Sequence, residues 1–166
     1  MNLMSFTAVA GVLNEAKVRY LIVGGLAVNA HGYGRFTHDV DLVVKLSRKN
    51  ILSAFAALKR LDYRPRVPVT AQDFANANVR KKLIKEKNMQ VLQMWSPKHE
   101  EMPVDVFVEE PFIFDKEFKS ALLAKVDDEP VRFVSLKTLI RMKKAAGRAT
   151  DKIDLEKLLI AKKLGD

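Results

Sequence analysis

Apolar positions three and four residues apart open the chain. Leu3, Phe6, Ala10 and Leu13 share one face of a helix predicted over residues 3–18. The spacing then changes to that of strands. Tyr20–Gly24 is a short apolar run that stops at Gly24-Gly25, and Leu26–His31 predicts a short helix before a polar loop, Gly32–His38. Asp39–Val44 is a second strand, with Val40, Leu42 and Val44 facing a core and Asp39 and Asp41 sharing the opposite face. Ser47 caps a predicted helix to about Leu61, with Ile51, Phe55 and Leu58 as its buried stripe. Pro65 and Pro68 mark a break, and residues 71–87 read as helical in part.

Met89–Trp95 and Val104–Val108 predict an antiparallel strand pair, joined by a loop carrying Pro97 and Glu100-Glu101. Residues 112–125 read as apolar and helical or irregular, 127–130 as a turn, and Val131–Val134 as a last short strand. Ser135 caps a helix to about Ala146, Gly147 stops it, and Thr150 or Asp151 begins a final helix to about Leu164. This order predicts an α+β (α/β) fold, a mixed sheet with flanking helices. A chain of 166 residues makes one domain, with 1–134 as the sheet core and 135–166 as a C-terminal helical pair.

Composition narrows the setting. The longest apolar run, around residues 20–28, is too short to span a bilayer, and the N-terminus lacks the charged region and cleavage site of a signal peptide. The absence of cysteine excludes disulfides and thiolate metal sites and is compatible with a cytoplasmic location. A net charge of +9 favours an anionic partner such as a nucleotide or nucleic acid, although solvated lysine faces produce the same balance. The charge is uneven: residues 80–97 carry 5 basic and 1 acidic group, whereas 98–129 carry 4 and 10. No stretch interleaves aromatic and basic residues in the manner of base-stacking surfaces.

The candidate chemistry lies where acids interrupt apolar strands. Asp39 and Asp41 on one strand face repel each other and resist burial. Asp105, inside the apolar run Val104–Val108, would cost several kcal/mol to bury without a cation or a hydrogen-bonding partner. If the two strands are neighbours, three carboxylates converge in a set that suits Mg²⁺ or Mn²⁺. Gly24-Gly25, at a strand end and before a helix, lets the backbone approach a phosphate. If the chain is already extended there, Arg35, two and four residues from Thr37 and Asp39, would project toward the same place as a phosphate clamp. His38 should face away from Asp39 and His31 should pack near the glycine turn, and neither has ligand spacing to another histidine.

Gly-Gly, then 13 residues, then an Asp-x-Asp strand, and later a third Asp in an apolar strand resembles the nucleotidyltransferase superfamily with a polymerase β-like fold. The segment from Met142 to Leu155 resembles the closing "K…AGRxxDxxDL" element of small prokaryotic members, the group that includes the AbiEii toxins. The resemblance implies that Gly24 and Gly25 hold a triphosphate, that Asp39 and Asp41 bind both metals, and that Asp105 ligates one metal and activates the attacking hydroxyl. It implies Mg²⁺ or Mn²⁺ as cofactor and an NTP as co-substrate. The acceptor would be RNA (notably tRNA), a small molecule such as an antibiotic, or a protein. An antitoxin or other regulatory protein is the implied partner, and a catalytically silent binding module is the alternative. Lys143 is then a charge partner for phosphates. Arg148 is either a nucleotide contact or simply the ion-pair partner of Asp151 or Asp154, acids that suit a helix's first turn. Gly25 and Leu26 stand where many members of the group carry Ser or Thr.

Overall fold

A computed structural model describes residues 2–165. Helix α1 (Leu3–Glu15) is capped by the Asn2 side chain and ends earlier than its apolar period suggests, because Lys17 takes a left-handed turn conformation. Strand β1 (Tyr20–Val23) passes directly into α2 (Gly24–Ala30), so the helix begins on the glycines themselves. Strand β2 (Val40–Val44) starts one residue after Asp39, and α3 (Arg48–Lys59) follows Ser47. The prolines then give a strand rather than a mere break. The strand, β3 (Arg64–Pro65), lies at the sheet edge, where a missing N–H costs no ladder bond.

The ambiguous stretch 71–87 is two helices, α4 (Ala71–Ala75) and α5 (Ala77–Lys87). Asn76 separates them: its extended backbone ends α4 and its side chain caps α5. Strands β4 (Val91–Trp95) and β5 (Val104–Phe107) pair antiparallel, as their alternation predicts. Only the first half of 112–125 is helical, as α6 (Phe114–Ser120). Its second half is a strand, β6 (Leu122–Val126), in a hairpin with β7 (Glu129–Phe133) through a turn at Asp127. An exposed Leu123 hid the alternation there. Helix α7 (Leu136–Ala146) is capped by Ser135 and stopped by Gly147 at φ +63, and α8 (Ala149–Gly165) closes the chain.

The seven strands run β3-β4-β5-β2-β1-β7-β6. β2 is antiparallel to β1 and parallel to β5, so the acid-bearing strands are neighbours. Register then sorts residues by face. Leu42, Val106 and Leu92 form one row of partners, and Val40, Val104 and Met94 the next. All six are buried, together with Phe6, Leu13, Ile51 and Leu58 from α1 and α3. The alternate residues on these strands must face the other side, and there the row reads Asp41, Asp105, Gln93. Strand alternation alone therefore lifts the acids out of the core. Among the described residues, no helix is long and apolar enough to cross a membrane.

Candidate active site

The site grows from the end of β1. Gly24 has φ +67, a conformation glycine adopts without strain, and a Cβ there would overlap Asp41 Oδ2. Glycine is thus required by both backbone and neighbour. At Gly25 a Cβ would come within 2.7 Å of Thr37 Oγ1 and 2.9 Å of an Arg35 guanidinium nitrogen. The hydroxyl and guanidinium of the loop therefore occupy the volume that a side chain at position 25 would take. Asn29 holds this loop in place: its amide donates to the Arg35 carbonyl at 3.0 Å and accepts from the Arg35 N–H at 2.9 Å.

A cavity of about 270 Å³ opens here. It is lined by Gly24, Gly25, Arg35 and Thr37, by Asp39, Asp41 and Asp105, and by Lys143 and Arg148, so the expected carboxylates, glycines and phosphate contacts border the same space, whereas Asp151 and Asp154 do not line it. Phe36, His38 and Thr150 complete the wall, and the His38 ring packs edge-on against Phe36. An adjoining cleft of about 450 Å³ shares Gly24, Asp41, Lys143 and Arg148, and runs between α7 and Phe107 of β5. His31 lies elsewhere, its Nε2 2.8 Å from the Val134 carbonyl.

The acids are in electrostatic conflict. Burial, then repulsion from Asp105 and Asp39, push Asp41 up to about 7, against the pull of Lys143 and Arg148. Burial also raises Asp105, which is only 9% exposed, and Asp39 adds to the rise. A hydrogen bond from Gln93 Nε2 at 3.1 Å and the charge of Arg66 oppose it. Gln93 carried no signal in the sequence, since a lone amide in a half-buried strand is unremarkable until its register partner is known. Among the described residues, no three Asp, Glu or His side chains stand close enough in this arrangement to enclose an ion. The three carboxylates border an opening rather than a closed cage.

The cations beside them are engaged with other acids. Lys143, 6% exposed, places Nζ 2.9 Å from both Asp151 Oδ1 and Asp154 Oδ2. Arg148 reaches Asp151 at 2.7 Å. Arg35 Nε lies 3.0 Å from Asp154 Oδ1, an ion pair without hydrogen-bond alignment. Burial alone would raise Asp151, but the hydrogen bonds from Arg148 and Lys143 hold it at about 2. The closing element thus serves as a charged clasp between α7, α8 and the Arg35 loop, and its three cations line the cavity at the same time.

Neither family models nor curated proteins match the chain. Solved structures do. The crystal structure of ANT(2″)-Ia in complex with adenylyl-2″-tobramycin superposes with a TM-score of 0.57 at 14% identity, over 94% of this chain and 86% of that one. The lincosamide antibiotic adenylyltransferase LnuA, with lincomycin bound, gives 0.57 at 13% identity over 89% and 90%. An antigenic nucleotidyltransferase-like protein from Paracoccidioides brasiliensis gives 0.53 at 18% identity over 94% and 74%. These likenesses span 89–94% of the chain, and the chain has the nucleotidyltransferase fold.

Proposed function

We propose that this protein is a metal-dependent nucleotidyltransferase that moves the nucleoside monophosphate of an NTP onto a hydroxyl acceptor and releases pyrophosphate. One observation carries the reading. Three carboxylates border one cavity and, among the described residues, no ion pair reaches any of them, because Lys143, Arg35 and Arg148 are paired with Asp151 and Asp154. A purely structural role for Asp39, Asp41 and Asp105 would need Arg35 or Arg148 to bridge them. Mutually repelling acids, Asp105 buried and Asp39 and Asp41 half-buried, left without a counterion fit a site completed by a ligand cation.

The donor set, three carboxylates offering oxygen only, fits Mg²⁺ or Mn²⁺. Asp39, Asp41 and Asp105 would hold it, and the bound ion would lower the pKa of the acceptor hydroxyl and neutralise phosphate charge. The triphosphate lies against the backbone of Gly24 and Gly25, and the Thr37 hydroxyl stands in for the absent Ser or Thr beside the glycines. The clasp bears three cations against two anions, so Lys143, Arg148 and Arg35 present a net positive wall to the phosphates. The nucleoside takes the adjoining cleft beneath α7. The acceptor oxygen attacks the α-phosphorus, its proton passes to Asp105, and the bond to the bridging oxygen breaks to release pyrophosphate.

The test uses NTPs labelled at the α-phosphate, with Mg²⁺ or Mn²⁺, and with RNA, protein or small-molecule acceptors. Metal-dependent labelling by the wild type, lost in Asp39→Asn and Asp105→Asn, is the expected result. Binding of NTP and metal without transfer to any acceptor would replace the enzyme with a nucleotide-binding module. Binding of neither would refute both.

A further inference from the structure

The chain's only tryptophan is on the sheet face that carries the acids, and it is not packed into the core. Register puts it in a particular company. Asp41, Asp105 and Gln93 are successive partners across β2, β5 and β4, and the Arg66 N–H extends the row by donating to the Gln93 carbonyl at 3.0 Å. Val40, Val104 and Met94 are partners in turn, so the next row toward the end of the sheet is Asp39, Pro103, Trp95, and Trp95 is paired with Arg64. Two parallel rows therefore lead from the acids, past an amide and an indole, to two exposed guanidiniums at the sheet edge. Strands about 4.8 Å apart put that edge roughly 10 Å beyond the strand of Asp105.

Direction of approach follows from the reaction, and in this the inference rests on the nucleotidyl-transfer reading. The glycine turn lies on the β1 side of Asp41, since Val23 is the partner of Asp41. In-line displacement places the acceptor on the opposite side of the α-phosphorus from the leaving pyrophosphate. That side is the platform of Gln93, Trp95, Arg64 and Arg66. Of the acids flanking it outside the triad, Asp62 pairs with Lys98 at 2.8 Å and Glu101 accepts from Ser5 at 2.9 Å. A polycationic acceptor would meet two guanidiniums there, whereas an anionic one is attracted.

We infer that the acceptor is the 3′ end of a single-stranded RNA. Its terminal 3′-hydroxyl lies at Asp105, and the vicinal 2′-hydroxyl bonds the Gln93 amide, whose Nε2 is 3.1 Å from Asp105 Oδ1. A base stacks on Trp95, and the backbone phosphates run to Arg64 and Arg66. The 3′-oxygen forms the new bond to the α-phosphorus as the bond to the bridging oxygen breaks. The hydroxyl proton goes to Asp105 and pyrophosphate departs. The aromatic and basic residues that no single stretch of sequence interleaves are brought together here by two strands, β3 and β4.

Binding can be read without turnover, because Trp95 is the sole indole. A short mixed-sequence single-stranded RNA, titrated without NTP at low salt, should quench its fluorescence. Arg64→Ala/Arg66→Ala should weaken binding about tenfold or more and flatten the salt dependence by about 0.7 per lost phosphate contact. Both arginines are exposed, and an unchanged melting temperature verifies that the variant is folded. Failure of RNA to quench, or equal quenching of the wild type and the double variant, would overturn the surface. Equal affinity for DNA of the same sequence would overturn the assignment to RNA. The two readings fail separately: RNA that binds but is never labelled removes the transfer reaction, whereas labelling of another acceptor with no RNA binding removes this surface alone.

Discussion

Lys143 offers the sharpest test of how the closing element works. Its ammonium lies 2.9 Å from one oxygen each of Asp151 and Asp154, and both acids are 1% exposed. Lys143→Met keeps the length and apolar stem of the side chain and removes the charge. Breaking a buried ion pair by deleting one partner costs about 3–5 kcal/mol, most of it the penalty on the charge left behind. Here each acid keeps one arginine, Arg148 at 2.7 Å and Arg35 at 3.0 Å. The lower figure, about 3 kcal/mol, is therefore the expected loss, equivalent to roughly 6–12 °C in melting temperature for a domain of this size. Asp154→Asn in the Lys143→Met background should restore part of it, because Asp154, whose Oδ2 has no aligned hydrogen bond, is left with Arg35 as its only cation. The pH dependence has a definite sign. Asp151 is held at about 2, below its ordinary 3.8. Its contribution is therefore present above about pH 4 and lost as pH falls through 2. The gap between wild type and variant should narrow in that window. Denaturant titrations of the three proteins between pH 2 and 8 measure all of this. A loss below about 1 kcal/mol at pH 7, or a gap that widens in acid, would show that the clasp is solvated and carries little of the fold.

Asp41 behaves in the opposite sense. Its carboxyl is raised from 3.8 to about 7, so stability is highest with the proton on, below pH 4, and declines as pH rises to about 7. In chelator-treated protein Asp41→Asn should be the more stable form at pH 8, by up to roughly 4 kcal/mol, with no advantage at pH 4. Thermal melts across that range check it, and an advantage independent of pH would contradict the electrostatic account. Adding Mg²⁺ at pH 8 should stabilise the wild type and not the Asn variant. Gly24→Ala forces a side chain into a left-handed conformation and onto Asp41, so about 1–3 kcal/mol of stability should be lost along with nucleotide transfer. A Gly24→Ala protein with full activity would remove the glycine turn from the site.

Local chemistry was legible from the chain alone. Alternation in Val40–Val44 and Val104–Phe107 announced two strands with acids on their polar face, because side chains in a strand alternate whatever the fold. Gly24, Gly147 and Ser135 announced their turns and caps for equally local reasons. The elements that escaped lacked such signals. β6 is masked by an exposed Leu123, and β3 is two residues long and exists only because β4 offers it an edge. Tertiary structure alone decided what stands beside what. Asp41 and Asp105 are 64 positions apart in sequence yet partners in one ladder, and whether their strands pair is a property of sheet order, set by how seven strands cover a shared core. The same holds for the clasp, whose lysine and acids read equally well as a solvated helix surface until α7, α8 and the Arg35 loop close on them. It holds too for Gln93, Trp95, Arg64 and Arg66, since side chains on separate strands acquire a common face only through register.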